Sequence, residues 1–257
     1  MYCDMIEEIQ CEVKDTIGEV LKAISKRDWL SFVLLVGRAD IDPNLKDKDF
    51  IASVYVIDDN RDLYYDNTRK KFWLRYMNRN YHREGFKYLG DSGIDDLSIE
   101  MMIYSHLWNS DYHLELLHRI SSILSGRGYE WNVKIPETGM YKWINNEIIT
   151  PLKANGYKLG EIIAKGYKSS IRNAFAHSNY SIYEGQRKIH IHTSSSPLEM
   201  LSFDDFQSRF LYSSFLMYVL HNSIEYVFQS ITLENKALTE PFYTPDNVKA
   251  RVFSETD

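Results

Sequence analysis

The sequence predicts a mainly α protein, an antiparallel helical bundle carrying one small β-hairpin. Three observations carry that prediction. Apolar residues recur at three- and four-residue spacing through most of the 257 residues. The stretch YSIYEGQRKIHIHT (180–193) instead alternates around EGQ, the pattern of two strands and a turn. Clusters such as GDSGIDD (90–96), NSD (109–111) and SGRG (125–128) fall between the periodic segments, where connections belong.

Taken in order, Met5 to Ile24 places Ile6, Ile9, Val13, Ile17, Val20 and Ile24 on one helical face. Trp29 to Val36 is a short apolar run, and ADIDPNLKDKD (39–49) reads as an Asp-rich loop. FIASVYVID (50–58) suits a β-branched strand or a buried helical turn. TRKKFWLRYMNRNYHR (68–83) reads as a helix with Phe72, Trp73, Tyr76 and Met77 on one side and a basic stripe of Lys71, Arg75, Arg79 and Arg83. GDSGIDD is the candidate boundary between a mostly helical N-terminal extension, 1–90, and a helical domain, 97–232; a tail, 233–257, follows.

Within that domain Leu97, Met101, Tyr104 and Leu107 begin a helical pattern that resumes at Leu114, Leu117, Ile120 and Leu124. NSD offers a split into two helices, and SGRG ends the second. Tyr141 to Ile149 is a shorter helix, ended by Pro151. Tyr157 to about Ala176 reads as one further helix, before the hairpin. Ser202 then caps a last long helix, with Asp205 three residues on and Leu201 and Phe206 placed for a hydrophobic staple.

Hydrophobic residues at 44 % and charged residues at 26 % describe an ordinary globular chain and exclude a collagen-like or disordered one. Cys3 and Cys11 match no zinc or redox spacing and read as reduced thiols. Asp4, Glu7 and Glu8 interrupt any leader, and the apolar runs are too short to span a bilayer, so a cytoplasmic protein without a membrane partner is expected. The net charge is −6, yet it is segregated: 68–88 carries +6 and 153–192 carries +5, which leaves −17 for the rest. Segregation of that kind is a local electrostatic footprint.

The second basic segment holds IRNAFAH (171–177). On a wheel at about 100° per residue the apolar face of the 157–176 helix centres between Leu159 and Ala174, with Lys158, Lys165, Lys168 and Arg172 opposite. His177 falls about 140° from Arg172, so the two do not meet on one regular helix. Either the helix ends before His177, or Arg172 of one copy meets His177 of a second across a two-fold axis.

Arg-Asn-x-x-x-His at the end of an amphipathic helix, followed by a polar turn and another long helix, resembles the HEPN superfamily. Its pattern is Arg, four to six residues, then His, with Asn commonly after the Arg. LW (107–108) and SGRGYEW (125–131) suit the same family, and the resemblance covers about residues 97 to 232. It implies a HEPN-like bundle and a metal-independent endoribonuclease with its active site at a homodimer interface and no cofactor. Attack of a ribose 2′-OH on the adjacent phosphate would leave a 2′,3′-cyclic phosphate. His177 is then the general acid or base, Arg172 the clamp on the charged phosphoryl oxygens and Asn173 the positioner. The partners implied are RNA (tRNA or mRNA), a second copy and an antitoxin or other regulatory protein, in a toxin–antitoxin or phage-defence setting. Some toxin members place a Tyr two residues after the His; here Tyr180 stands three after.

Lys165 and Lys168 are the expected phosphate contacts, because the wheel puts them on the face of Arg172. Tyr180, Arg75 and Arg79 complete the expected RNA surface, the last two on a segment that interleaves basic and aromatic residues. The competing reading is a non-catalytic helical module of the same kind, for dimerisation and RNA or protein binding. No metal site is expected: His190 and His192 share a strand face without a third ligand, and DDNRD (58–62) lacks the turn glycine and terminal Glu of a calcium loop.

Overall fold

The computed structural model describes residues 2–24, 39–41, 71–77, 89–130, 133–192, 199–234, 242–243 and 249–252. The apolar run 29–36, FIASVYVID, DDNRD, Arg79 and Arg83 lie outside the described residues. Helix α1 (Tyr2–Ala23) is followed by strand β1 (Ala39–Ile41) and a helical segment α2 (71–77). Helices α3 (Leu89–Asn109) and α4 (Asp111–Leu124) come next. Helix α5 runs through Met140–Trp143, a π-helical stretch Ile144–Ile149, and Thr150–Ala154. After α6 (Leu159–Gly166) and α7 (Ser169–Ala176), strands β2 (Tyr180–Tyr183), β3 (Lys188–Ile191) and β4 (Glu199–Ser202) form an antiparallel sheet in that order. The long α8 (Phe203–Glu234) precedes β5 (Phe242–Tyr243) and β6 (Lys249–Val252).

The periodicities fold as helices because each offers one apolar stripe to a shared centre. Helix α8 is the axis of that centre, touched by α1, α3, α6 and β4. Trp108, Tyr104, Phe206 and Phe210 are fully buried there, each removing a large apolar surface from water. Ile9, Val13 and Val20 bury the predicted face of α1 in the same core, so α1 packs with the bundle. Ser110 caps α4, its hydroxyl accepting from the His113 amide, and so makes the split at NSD. His113 ties α4 to α8: its Nδ1–H donates to the Leu107 carbonyl (3.2 Å), which leaves Nε2 to accept from His221 Nε2–H at 3.1 Å. Ser202 caps α8, accepting from the Asp205 amide at 3.0 Å, and Leu201 and Phe206 are both buried.

Several expectations need correction. GDSGIDD lies inside α3, and residues 39–41 form a strand where a loop was expected; β6 pairs with β1 and β5, so the tail contributes strands. The single hairpin gains a third strand, β4. In α2, Trp73, Tyr76 and Met77 are buried but Phe72 is exposed, and Arg75 lies exposed as the stripe requires.

Pro151 does not end α5. Proline lacks an N–H and its ring crowds the carbonyl four residues earlier, that of Glu147. The π-helical turn opens the ladder at this point, and the Glu147 carbonyl accepts instead from Ser121 Oγ (2.9 Å) and Arg127 Nη2 (3.0 Å).

Nor is 157–176 one helix. It breaks at Tyr167 and Lys168, both extended (ψ 129° and 113°). The buried Tyr104 hydroxyl stands in for the lost ladder: it accepts from the Lys168 amide at 2.7 Å and donates to the Gly166 carbonyl at 2.9 Å. Gly166 lies so close to α8 that a Cβ would sit 2.8 Å from Ser213 Oγ.

Candidate active site

Helix α7 is short and ends in a Schellman turn built on polar residues. The Asn179 amide donates to the Ala174 carbonyl (2.8 Å) and the Ser178 amide to the Phe175 carbonyl (3.1 Å). Ser178 takes the left-handed position at φ 55°, which glycine ordinarily fills. His177 is the helix C-cap, outside the last helical residue (φ −107°, ψ 8°). The helix thus ends before His177. Its backbone N–H donates to the Asn173 carbonyl at 3.1 Å. Its ring is exposed and makes no hydrogen bond among the described residues.

Arg172 is held at two nitrogens. Its Nε–H donates to Asn109 Oδ1 at 2.5 Å, and Nη1 donates to Asn173 Oδ1 at 3.0 Å. Nη2 has no partner among the described residues. Asn109 is itself fixed, donating from Nδ2 to Ser105 Oγ at 3.0 Å within α3. A guanidinium held at Nε and Nη1 keeps its remaining donors aimed in a set direction, which suits recognition of a phosphoryl group. Asn109 is the residue that sequence reasoning missed. It stands 63 positions from Arg172, and only the packing of α3 on α7 brings them together.

The remaining expected residues fall around this centre in different roles. Asn173 steadies Arg172 through its side chain and caps His177 through its carbonyl. Lys165 pairs with Glu8 of α1 at 2.7 Å and lies over the Tyr212 ring. Their hydrogen bond lowers the Glu8 carboxyl and raises the Lys165 ammonium from their ordinary pKa values. Lys168 pairs with Glu199 of β4. Burial pushes the Glu199 carboxyl up, but the pairing with Lys168 helps to outweigh it and the carboxyl lies below its ordinary range. Because the helix breaks at 167–168, the common face on which Lys165 and Lys168 were to flank Arg172 does not exist as one helical stripe.

Tyr180 is half-buried and stacks on Phe175, ring centroids 5.6 Å apart, so it anchors β2 to α7. Arg75 is exposed on α2, which is fixed to the bundle by Trp73 against Tyr218 and by Tyr76 Oη donating to Glu100 at 3.3 Å. His190 and His192 diverge in role. His190 stacks under Tyr183, whereas His192 Nε2 bonds Ser181 Oγ at 2.8 Å. Among the described residues no three His, Cys, Asp or Glu side chains converge as a metal site, and no helix is long and apolar enough to cross a membrane.

Compared with known proteins, the chain matches no family model, no curated protein and no solved structure.

Proposed function

We propose that this chain is a metal-independent endoribonuclease of the HEPN type, acting as a homodimer. His177 takes or gives the proton at the ribose 2′-OH or the leaving 5′-oxygen. Arg172 stabilises the charge that grows on the phosphoryl oxygens, and the 2′-oxygen displaces the 5′-oxygen to leave a 2′,3′-cyclic phosphate. Asn173 and Asn109 hold the guanidinium. RNA is the substrate in this reading, and a protein that restrains the activity is its expected regulator.

The observation that carries the reading is the end of α7. An exposed imidazole without a bond to the described chain follows, by one capped turn, a guanidinium held at two nitrogens. Solvated structural histidines and arginines do not require such a grip, whereas pre-organised charge stabilisation does.

The test is cleavage of bulk tRNA and a mixed-sequence RNA in EDTA, by the unmodified chain beside Arg172→Ala and His177→Ala. Cleavage that survives EDTA, from a chain that elutes as a dimer, should fall at least about a hundredfold in each variant. Intact RNA, or cleavage that persists in both variants, overturns the proposal. One observation favours the non-catalytic module instead: Lys165 and Lys168 are engaged by Glu8 and Glu199, so neither cation stands free for a phosphate. That reading gains if RNA is bound but left intact and His177→Ala binds it equally well.

A further inference from the structure

We infer that the outward face of the sheet β2–β3–β4 is a stacking platform for single-stranded RNA, with Tyr183 as the residue on which a base stacks. The nature of the ligand rests on the ribonuclease reading; the platform rests on the sheet.

The register sorts the strand residues between two faces. Tyr183 lies opposite Lys188, which lies opposite Ser202; Ser181 lies opposite His190, which lies opposite Met200. Alternation sends Ile189, Ile191 and Leu201 inward, where all three are buried. The outward positions carry Tyr183 and Met200, 45 % and 58 % exposed. A solvated sheet face is ordinarily polar, and here it carries two large apolar side chains left open.

Tyr183 is also pre-set for stacking. Its ring lies on His190 with centroids 4.1 Å apart and planes 28° from parallel, so one face is fixed from below and the rest of the ring stays open. This stack accompanies a His190 Nε2 that is shut off from solvent with no hydrogen-bond partner, an uncompensated desolvation. One cation stands on this face. Lys188 stands beside Tyr183, and none of the outward strand positions bears a carboxylate; Glu199 sits at an inward position, paired with Lys168. Three carboxylates stand at the same end of the sheet as Tyr183: Glu184, exposed and next in the chain, and Asp204 and Asp205 just past Ser202, where Arg187 pairs with Asp204. An exposed aromatic ring with a lysine beside it is one element of the surfaces on which single strands stack without regard to sequence.

The platform is continuous with the candidate active site. Tyr183 lies six positions after His177, a reach of roughly 20 Å at most, or a few nucleotides. The Asn179 carbonyl accepts from the His192 amide at 2.9 Å, which extends the β2–β3 ladder into the turn that caps α7. A strand lying along β2 would therefore lead to His177. This also relocates the aromatic contact expected of Tyr180, whose ring is taken by Phe175, to Tyr183.

The experiment uses the full chain carrying His177→Ala, so that the probe stays whole. A short, fluorescein-labelled single-stranded RNA of mixed sequence is titrated in EDTA and followed by anisotropy. Tyr183→Ala in that background should weaken binding about tenfold, while Tyr183→Phe, which keeps the ring, should stay within about twofold. Met200→Glu, at an exposed position opposite His190, should weaken it as well by repelling phosphate; this keeps the test intact if Tyr183→Ala disturbs the fold. The same sequence as a duplex should bind at least about tenfold more weakly, because its bases are stacked on one another. Unchanged affinity in both variants, equal binding of the duplex, or no binding of the single strand overturns the proposal. Binding that depends on Tyr183 in a chain that never cleaves RNA retires the nuclease and keeps the platform. Cleavage by the unmodified chain that is undiminished in Tyr183→Ala, with the same KM, does the reverse.

Discussion

Ser178 concentrates the residue-scale argument. A side chain at φ 55° costs about 1 kcal/mol that glycine would avoid. Ser178→Gly should therefore stabilise the chain by about 0.5–1 kcal/mol in urea unfolding. If the turn also aims His177, the same change should lower RNA cleavage while it raises stability; a parallel rise in both would uncouple the turn from the site. Asn109 gives the second residue-scale prediction. Asn109→Ala removes the acceptor of Arg172 Nε and should reduce kcat about tenfold or more with little change in KM, since the guanidinium loses its aim rather than its charge. Arg172, Asn173 and His177 could be picked out as candidates because they are close in sequence and chemically distinctive. Asn109 was not, because an asparagine at a helix end is commonplace and its partner arrives only through tertiary packing.

At the scale of elements, the break between α6 and α7 decides where Arg172 points. Gly166→Ala forces a methyl to within 2.8 Å of Ser213 Oγ, which already accepts from Trp108 Nε1 at 2.9 Å. Thermal or urea unfolding should show a loss of about 1–3 kcal/mol, the usual cost of overpacking. Tyr104→Phe leaves the Lys168 N–H and the Gly166 carbonyl without the hydroxyl that joins them, and should cost about 2 kcal/mol or more. The apolar rhythm of 157–176 passes through this break undisturbed, so periodicity alone merges the two helices. The interruption comes from a phenol on α3, more than sixty residues away, and leaves no local trace. The same reason hides the π-helical turn in α5, where Ser121 and Arg127 satisfy the carbonyl that Pro151 would otherwise strand. By contrast, the Ser202 cap and the split at NSD were legible locally, the latter made by a Ser110 cap that the sequence reading did not name.

At the scale of the whole molecule, the bundle itself was readable, since α1, α3, α4 and α8 each carry an apolar face long enough to declare its period. How α1 joins the rest was not readable, because a stripe states that it is buried without stating against what. It packs on α8, and Glu8 reaches Lys165 and Tyr212 across the joint. The pH dependence of stability belongs to this scale too. Burial holds the His118 imidazole below its ordinary value of 6.5, against the pull of Glu130 and Glu147 and with the help of Arg127 and Arg119. As pH falls through 6.5 the unfolded chain takes the proton first, so stability is full above that value and falls below it. His118→Gln lacks this proton, so the gap in Tm between it and the unmodified chain should narrow from about pH 7.5 to about pH 5.5. A constant gap would mean that His118 titrates alike in both states.

The central claim is that Arg172 and His177 cleave RNA through its own 2′-OH. The most direct measurement is mass analysis of products from an RNA that is 2′-O-methylated everywhere except at one nucleotide, incubated with the chain in EDTA. The expected result is a single cut, immediately 3′ of the unblocked ribose, leaving a 2′,3′-cyclic phosphate and a 5′-hydroxyl, and no cut in His177→Ala. Cleavage at methylated positions, or products ending in a 3′-hydroxyl and a 5′-phosphate, would contradict it.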